Sequence, residues 1–574
     1  MSNFSLKLNT EIKNMKKIFY DPILFSTFVF VVVILILFII MPMWNILKES
    51  FTWHDYIKDV VSNITTDNKS FSLKHYLNVF TASENFTIIR NTLKLGFVTS
   101  IVSTSIGFFF AYGMNYVKLP FKKFFNSIAI LPIVSPPFVI ALSAILLFGR
   151  RGIITRGIFG ILNAEIYGFK GLVLVQVLTF FPEAYLMLVG LLSKIDPSVE
   201  EASRDLGASR WDVFRTVTFP LMVPGLANAF LVIFIQAIAD FSNPMVIGGN
   251  FTTVAVQIYL KGIGNFDMGS ATALAIVLML MSISIFITQK YYISKKSYVT
   301  VTGKVSRDRE KITEKNIVYP IFIMMGFFTF CVFLMYIMIP IVSLTKLWGV
   351  NYSFSLDHYK YVFDLGLKPI KDTTLLSLLS TPITGVLAMI IAFLVVRKQF
   401  FGKSFIEFTT MMSIAIPGTI VGLGYIITYN KKPFVLTGTA AILIIAFIMR
   451  NMPIGIRSGI AALQQIDPSI EEAATVLGAN SKKVFTSVTL PMIKPAFFSG
   501  LVYAFVRSMT LVSTIIFLVS AKYNLLTVAI MNQIDVMKTG VAAAYCTVLI
   551  VIVFVIIGIM TYILKKMGID DISE

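Results

Sequence analysis

Charged residues are scarce in this chain of 574 residues. Asp, Glu, Lys and Arg together make up 14% of the sequence, whereas 56% is hydrophobic and the mean hydropathy is +0.81. A soluble globular chain carries roughly 25% charged residues, so the composition indicates a protein whose solvent is the lipid bilayer. Basic residues outnumber acidic ones by 49 to 30, and we attribute this excess to the positive-inside bias of membrane proteins rather than to nucleic-acid binding.

Cysteine and histidine, the usual metal ligands besides carboxylates, are also rare. Cys331 and Cys546 both lie in apolar runs, so neither a disulfide framework nor a thiolate metal site is supported. His54, His75 and His358 are not joined by a cluster of carboxylates and tyrosines at ligand spacing. We interpret His75 and His358, which occupy the same place in a repeated FSLxHY sequence, as structural. We therefore expect no metal site and no cofactor in this chain.

A nucleotide-binding loop is missing as well. No Gly-x-x-x-x-Gly-Lys-Ser/Thr sequence occurs, and the nearest stretch, VTVTGKVS at 299–306, has Val305 after Gly303-Lys304 and lacks the earlier glycine. Without the glycine-rich nest of amides and the magnesium-binding hydroxyl, this stretch cannot cradle a nucleotide. The chain also lacks a clustered nucleophile and base, so we expect that it is not an enzyme.

Long apolar stretches without a charged residue make up much of the sequence. The first, Pro22–Leu47, covers 26 residues, enough to cross a hydrocarbon core of about 30 Å as a helix. It is too long for a signal peptide and lacks a small-residue cleavage site, so we interpret it as a retained span. Eight further uncharged runs and three runs with one embedded charge bring the prediction to twelve spans. Because lipid offers no partner to backbone amides, we predict helices, and hence an all-α integral membrane protein.

Two sequences occur twice. FSLKHYLNVF at 71–80 recurs as FSLDHYKYVF at 354–363, and EEASRDLGASRWDVFRTVTFP at 200–220 recurs as EEAATVLGANSKKVFTSVTLP at 471–491. We predict two tandem repeats, residues 1–292 with spans 1–6 and residues 317–574 with spans 7–12, joined by a polar linker at 293–316. Six spans return the chain to its starting side. We therefore place both polar copies and both termini in the cytoplasm.

Each polar copy has the signals of a helix, a turn and a second helix. Asp196 suits an N-cap, Pro197 a first helical position and Gly207 a left-handed turn. Ser209 can cap the next helix, and we expect Pro220 to end it. The same order recurs from Asp467 to Pro491. We thus predict a polar loop at about 195–220 and another at about 466–491. From the residues alone, a pair of interfacial amphipathic loops left by gene duplication is an equally good interpretation.

The pattern Glu-Ala-x-x-x-x-Gly with a distal Pro resembles the EAA loop of binding-protein-dependent ABC importer permeases of the type I, MetI-like fold. In the first copy, Ser203 stands where the third letter of EAA calls for alanine, so the residue there is still small. The resemblance implies that each loop is a coupling helix docked in a cytoplasmic ABC ATPase subunit, two copies in all, and that an external or periplasmic substrate-binding protein delivers the cargo. The coupling residues it implies are Glu201, Ala202, Gly207, Pro220, Glu472, Ala473, Gly478 and Pro491.

Three further stretches bear on the cargo. ADFSNPMVIGGNFTTVAVQIY (239–259), SYVTVTGK (297–304) and VSTIIFLVSAKYNLLTVAI (512–530) are similar to the fused permeases of iron(III) importers. The 2-aminoethylphosphonate permeases share much of the sequence in these stretches, so an importer of that compound or another small anion is the alternative. An ion-coupled secondary carrier also has two six-span halves, but it needs buried coupling-ion sites and no loops that dock an ATPase.

Ionisable side chains within predicted spans are the remaining candidates for function. Burying such groups in lipid is costly, so they are candidates for lining the transport pathway. The candidates are Asp240, Glu183, Arg450 and Arg507. Asp240 is the best of the four, and for each of them the alternative is an interhelical structural pair or a place near the hydrated interface. Pro136-Pro137 and Pro417-Gly418 predict kinks in the third and ninth spans.

Overall fold

A computed structural model describes residues 22–53, 70–293, 309–398, 400 and 402–566 of the chain. Nearly all regular structure in these residues is helical, with two short two-stranded sheets. The expected all-α membrane fold is confirmed. Part of the predicted linker, His54 and the Gly303-Lys304 stretch lie outside the described residues.

The elements of residues 22–293 follow in chain order. They are α1 (Pro22–Leu35), α2 (Met41–Ser50), β1 (Thr52–Trp53), β2 (Ser70–Phe71), α3 (Lys74–Thr81), α4 (Ser83–Tyr116), α5 (Lys122–Val134), α6 (Phe138–Phe148), α7 (Phe169–Leu192), α8 (Pro197–Asp205), α9 (Arg210–Val213), α10 (Phe219–Ala239), α11 (Ser242–Ile247), α12 (Val254–Tyr259) and α13 (Met268–Ile287). Short π-helical turns occur at Ile36–Ile40, Ile153–Ile158, Phe214–Thr218, Leu260–Gly264 and Thr288–Ile293.

The elements of residues 309–566 repeat much of this order. They are α14 (Lys315–Ser343), β3 (Thr345–Leu347), β4 (Asn351–Phe354), α15 (Asp357–Asp364), α16 (Leu367–Arg397), α17 (Lys403–Ala415), α18 (Gly418–Tyr429), α19 (Ala440–Gln464), α20 (Pro468–Val476), α21 (Ser481–Val484), α22 (Leu490–Met492), α23 (Lys494–Thr510), α24 (Leu526–Asp535) and α25 (Thr539–Lys566). A π-helical turn at Phe485–Thr489 and a 3₁₀ turn at Ile515–Phe517 complete the set.

Ten helices of the described residues are long and apolar enough to cross a membrane, or twelve if each of two bent helix pairs is one span. The upper figure equals the twelve spans predicted from the sequence. Both proline kinks coincide with breaks, between α5 and α6 at 135–137 and between α17 and α18, which meet at 109°. With 34 residues at about 1.5 Å each, α4 is roughly 50 Å long and extends beyond the hydrocarbon core.

The described helices form two compact units. Unit A comprises Trp53–Asp364 and Ile530–Thr547, and unit B comprises Met1–Thr52, Leu365–Ala529 and Val548–Glu574. The units do not follow the sequence repeats, since α1 and α2 precede the first repeat's other spans in the chain yet belong to unit B. The repeat boundaries themselves remain a prediction from the sequence.

In unit A, α4 packs along α7 and α10. A Cβ at Gly107 of α4 would lie 2.8 Å from the Cβ of Ala184 on α7, so only glycine permits this approach. The helix α14 packs against α4, α5 and α6. There Ser143 Oγ donates to the carbonyl oxygen of Met335 at 2.5 Å. The first span of the second repeat is therefore held in unit A.

In unit B, α16 packs along α19 and α23 in the same manner. Here the glycine is on the other partner, because a Cβ at Gly455 of α19 would lie 2.8 Å from the Cβ of Ala388 on α16. The helices α1 and α2 also pack in unit B. Tyr425 Oη donates to the carbonyl oxygen of Phe38 at 3.0 Å, an acceptor within the π-helical turn, where the regular backbone ladder is interrupted.

Candidate functional site

The first polar loop of unit A begins as the sequence predicts. Asp196 caps α8, and its side chain accepts a hydrogen bond from the backbone N–H of Ser198 at 3.0 Å. This N–H favours the carboxylate and holds the pKa of Asp196 below its usual value. The helix is followed by Gly207, whose φ of +88° is the left-handed conformation expected of it.

The second polar loop, in unit B, has the same construction. Asp467 accepts from the backbone N–H of Ser469 at 2.9 Å, and Gly478 has a φ of +86°. Among the described residues, and apart from the adjoining backbone, no atom lies within 4 Å of the position that a Cβ would take at Gly207 or Gly478. Glycine is therefore favoured at both turns by the backbone conformation and not by lack of space.

The second helix of each loop starts as predicted but does not end as predicted in the first copy. Ser209 and Asp212 form a capping box at the start of α9. The expectation that Pro220 ends this helix is wrong, because the helix runs on through the π-helical turn at Phe214–Thr218 into α10, of which Pro220 is the second residue. In the second copy, Pro491 lies in α22, and the chain bends by 79° just after that helix.

A buried glutamate fastens the first loop. Glu200 is 7% exposed, and its Oε1 accepts hydrogen bonds from Tyr116 Oη at 2.7 Å and Thr218 Oγ1 at 2.6 Å. Its Oε2 lies 3.2 Å from Arg309 Nε. The single carboxylate thus joins α8 to the end of α4, to the turn before α10 and to the segment that precedes α14.

Glu471 has the same place in the second loop. It is 9% exposed, and its Oε1 accepts from Arg397 Nε at 2.9 Å and from Thr489 Oγ1 at 3.1 Å. Arg397 Nη2 also donates to the carbonyl oxygen of Ile466 at 2.9 Å. Removing one partner of such a buried ion pair costs roughly 3–5 kcal/mol, because the other charge is left unpaired. One buried carboxylate therefore helps to fasten each loop to its unit.

Sequence reasoning did not find these anchors. It selected Glu201 and Glu472, the glutamates that open the EAA pattern, whereas the buried glutamates precede them by one residue. The available signal was repetition, since Glu200 and Glu471, and Thr218 and Thr489, are identical in the two copies. Of the eight predicted coupling residues, Glu201 is half-buried and the other seven are exposed.

An exposed apolar residue stands at the tip of each loop. Leu206 is 90% exposed and Leu477, its counterpart, is 88% exposed. Each is the C-cap of its short helix, directly before the left-handed glycine. A leucine exposed this far adds almost nothing to the packing of its own unit, so each tip presents apolar area to whatever meets the loop.

Asp240 is held by protein donors in unit A. Its Oδ1 accepts from the backbone N–H groups of Ser242 and Asn243, at 3.0 and 3.3 Å. Its Oδ2 accepts from Gln176 Nε2 and Asn243 Nδ2, both at 2.9 Å. The carboxylate joins α7 to the break between α10 and α11. Glu183, the other acidic candidate in this unit, accepts from Gln236 Nε2.

In unit B, Arg450 reaches the broken span. Its Nη1 donates to the carbonyl oxygens of Ser413 and Ile416 at 2.7 and 2.8 Å, at the C-terminal end of α17, where a cation also suits the helix dipole. Arg507 Nε donates to Tyr503 Oη at 2.7 Å. A role in lining the pathway stays a prediction for Asp240, Glu183, Arg450 and Arg507.

The repeated histidines pack against the start of a long helix. A Cβ at Gly269 of α13 would lie 2.2 Å from His75 Nε2, and one at Gly540 of α25 would lie 2.2 Å from His358 Nε2. His358 Nε2 also lies 3.0 Å from the carbonyl oxygen of Thr345. Among the described residues, no three His, Cys, Asp or Glu side chains are grouped so that they could hold a metal ion.

The described helices, ten to twelve of them long and apolar enough to be spans, define a largely helical, multi-pass membrane protein. The model of the family "binding-protein-dependent transport system inner membrane component" matches the chain twice, at residues 103–298 and 315–569. These matches cover well over half of the chain. It therefore belongs to that family, as a fused permease with two copies of the domain.

Curated relatives extend the similarity over most of the chain. A ferric transport system permease protein of Actinobacillus pleuropneumoniae is 39% identical over 501 residues, which is 86% of this chain and 73% of the relative. A putative ferric transport system permease protein of Haemophilus influenzae is 40% identical over 465 residues, 79% of this chain and 74% of the relative. A molybdenum transport system permease protein of Escherichia coli is 30% identical over 206 residues, 34% of this chain and 89% of the relative.

Among solved structures, a chain of a bacterial ABC transporter involved in the import of the acidic polysaccharide alginate aligns with this protein. The alignment covers 50% of this chain and all of that one, with a TM-score of 0.41 and 18% sequence identity.

Proposed function

We propose that this protein is the transmembrane permease of an ATP-driven importer that takes up ferric iron delivered by an external substrate-binding protein. The observation that carries the coupling part is the pair of loops, each anchored by a buried glutamate and tipped by an exposed leucine. The iron assignment is supported by the two relatives named ferric transport permeases. The proposal assigns neither a cofactor nor an ATPase activity to this chain.

Two cytoplasmic ATPase subunits serve as the motor in this proposal, one for each loop. The exposed Leu206 and Leu477 fit an apolar cleft on such a subunit, and the anchored glutamates transmit its movement to the spans. The orientation follows from basic residues that come after α4 and α16, the helices whose ends fasten the loops: Lys118, Lys122 and Lys123, then Lys398 and Lys403. The positive-inside rule places these ends, both loops and both termini in the cytoplasm.

The coupling role is tested by replacing both loop glycines. Gly207→Arg with Gly478→Arg introduces bulk where the described part of the chain has no neighbour within 4 Å. We therefore expect the fold to be retained, at a cost of about 1 kcal/mol of backbone strain at each site. We expect the permease to reach the membrane while uptake is lost. Gly160→Arg is the matched control, because Gly160 has a φ of +65° and equally open surroundings outside the loops. Normal uptake by the double variant would refute the coupling role.

The cargo is tested by reconstituting the permease with its cognate ATPase and binding protein in proteoliposomes. We expect ATP-dependent accumulation of ferric iron. Accumulation of 2-aminoethylphosphonate or another small anion, with ferric iron ignored by the binding protein, would refute iron and leave the importer class standing. Uptake driven by an ion gradient without ATP would refute the importer class in favour of a secondary carrier.

A further inference from the structure

The end of the linker lies against the first polar loop in unit A. We name its last six residues before α14, Arg309–Glu314, the linker brace. The Arg309 side chain is 10% exposed. Besides its ion pair with Glu200, it donates from Nη1 to the carbonyl oxygen of Leu192 at 3.2 Å and from Nη2 to that of Ile195 at 2.9 Å. Arg309 thus reaches both α8 and the end of α7.

The rest of the brace continues this contact along the loop. Glu310 pairs with Arg204 of α8 at 3.2 Å, and Glu314 pairs with Arg210 of α9 at 2.9 Å. Both ion pairs are partly exposed and individually weak. Between them, Ile312 is 4% exposed and forms a parallel β-bridge with Val117, just after the end of α4.

Backbone hydrogen bonds fix this bridge in register. The N–H of Ile312 donates to the carbonyl oxygen of Tyr116 at 2.8 Å. The N–H of Lys118 donates to the carbonyl oxygen of Ile312 at 3.0 Å. The guanidinium of Arg309 also lies over the Tyr116 ring, 4.0 Å from its centroid. A segment bound by backbone pairing, a buried ion pair and two flanking ion pairs is an integral part of the loop's attachment.

Unit B reaches the same geometry without a linker. Arg397, the last residue of α16, contacts Glu471 and the carbonyl oxygen of Ile466. Glu200 and Ile195, which Arg309 contacts, are the counterparts of these two residues in the first repeat. The last residue of α4, however, is Tyr116. The first repeat lacks an arginine at the end of this helix, and Arg309 occupies the corresponding place from another part of the chain.

We propose that the linker brace is a working part of the first loop, and that Arg309 is the positioning residue through which force on α8 reaches α4 and α7. Arg397 does the same for the second loop from within its own repeat. The linker of this fused permease is therefore more than a tether between two halves. This inference rests on the coupling role proposed above.

The first experiment measures the amount of substrate transported per ATP hydrolysed. The full-length permease is reconstituted in proteoliposomes with its cognate ATPase and binding protein, using ferric iron as the transported probe. We expect Arg309→Ala to lower this ratio by about tenfold, since it removes several charge-assisted hydrogen bonds at once. The ATPase should still co-purify, because the exposed tip is unchanged. Arg90→Ala, an exposed arginine at the other end of α4, is the matched control.

Rescue separates positioning from simple loss of folding. In Tyr116→Arg combined with Arg309→Ala, the arginine stands at the end of α4, as Arg397 stands at the end of α16. We expect this double variant to recover most of the ratio, and failure to recover it would overturn the assignment. A normal ratio in Arg309→Ala would also overturn it. The coupling role itself survives that result if Arg397→Ala and the Gly207→Arg, Gly478→Arg pair lower the ratio, and falls as well if they do not.

A cross-link tests whether the brace stays in place during transport. Arg204→Cys and Glu310→Cys replace the partners of a partly exposed ion pair, in a background without Cys331 and Cys546. Joining them with a short thiol-specific reagent should leave uptake of ferric iron intact, because a fixed attachment does not need to open. Loss of uptake on cross-linking, restored by cleaving the reagent, would show that the segment must release and would overturn the brace.

Discussion

At the scale of single residues, each loop is held by a carboxylate and exposes a leucine. Glu200 and Glu471 are enclosed by donors from several elements, whereas Leu206 and Leu477 meet almost nothing in the described residues. Both pairs are identical in the two copies, yet their identity in sequence gives no information on which side chains are buried. The two glutamates are buried because Tyr116, Arg309 and Arg397, which lie far from them in the sequence, pack against them in the fold.

The exposed leucines lead to a prediction about binding. If each loop docks an ATPase subunit as proposed, Leu206→Asp together with Leu477→Asp should weaken that association by roughly 10- to 100-fold per site, because burying one leucine contributes about 1.5–3 kcal/mol. The permease itself should remain as stable as the wild type, as surface substitutions usually are. Co-purification of the two subunits from detergent measures the loss. Leu365→Asp, at a leucine that is 77% exposed outside the loops, should co-purify normally; equal loss in this control would contradict a role specific to the tips.

Arg450 leads to a prediction about stability. Arg450→Leu leaves the carbonyl oxygens of Ser413 and Ile416 without their donor, and we expect the variant to be destabilised by about 3 kcal/mol. Arg450→Lys should lose less, since an ammonium keeps the charge but does not have the planar fork of a guanidinium. Thermal unfolding in detergent orders the three proteins. A leucine variant as stable as the wild type would show that the broken span does not need this arginine.

At the scale of elements, the break between α17 and α18 illustrates how closely a bent span is packed. A Cβ at Gly418 would lie 2.0 Å from Ser513 Oγ and 2.9 Å from Thr514 Oγ1. Thr514 Oγ1 also donates to the carbonyl oxygen of Gly418 at 3.0 Å. The proline before this glycine predicts the kink from sequence alone. The 109° angle and the close neighbour are set by the segment around Thr514, nearly a hundred residues later.

Gly418→Ala should therefore destabilise unit B by about 1–3 kcal/mol, the usual effect of overpacking. Gly558→Ala is the matched control at a helical position of the same unit, because a Cβ at Gly558 meets no described neighbour within 4 Å. Alanine is favoured over glycine inside a helix by roughly 0.5–1 kcal/mol, so the control should be as stable as the wild type or slightly more stable. The midpoint of thermal unfolding in detergent compares the two. Equal midpoints would contradict the close packing at the break.

Elements also show where sequence patterns mislead. The sequence predicts that Pro220 ends a helix. In the structure, the helix continues through the π-helical turn at Phe214–Thr218 into α10. The rule that proline disfavours a helix interior is local, and here a wider π-helical turn directly precedes the ring. What the sequence does not reveal is that the preceding helix joins α10 without a break. Thr218, the last residue of the π-helical turn, is buried and donates to Glu200 at 2.6 Å, so a tertiary contact accompanies the continuous helix.

At the scale of the whole molecule, the compact units and the sequence repeats divide the chain differently. In unit B, α2 of the first repeat packs against α18 of the second, with Asn45 Nδ2 donating to Thr428 Oγ1 at 3.0 Å. Gly424 allows the approach, because a Cβ there would lie 2.9 Å from Ile46 Cδ1. In unit A, α14 from the second repeat fills the corresponding role. The fused chain is therefore interlocked within each unit.

This arrangement predicts a cross-link across the repeats. With Cys331 and Cys546 replaced, Asn45→Cys and Thr428→Cys should be joined by a short thiol-specific reagent. A protease site inserted in the linker then cuts the chain between the repeats, and the cross-linked fragments should migrate together under denaturing conditions. In the control, each single cysteine variant should yield separate fragments after the same treatment. Separate fragments from the double variant would contradict the packing of α2 in unit B.

The amino-acid sequence is enough to predict the membrane class, the positions of the apolar helices, the two polar loops and their glycine turns. These features are local: hydropathy over about twenty residues, caps, and backbone conformations that favour glycine. The tertiary structure alone decided which glutamate of each loop is buried, that Arg309 in the linker supplies what Arg397 supplies in the second loop, and that α1, α2 and α14 pack outside their own repeats. Those features depend on the shape and charge of side chains that are far apart in the sequence and in contact in the fold, so a local sequence pattern does not predict them.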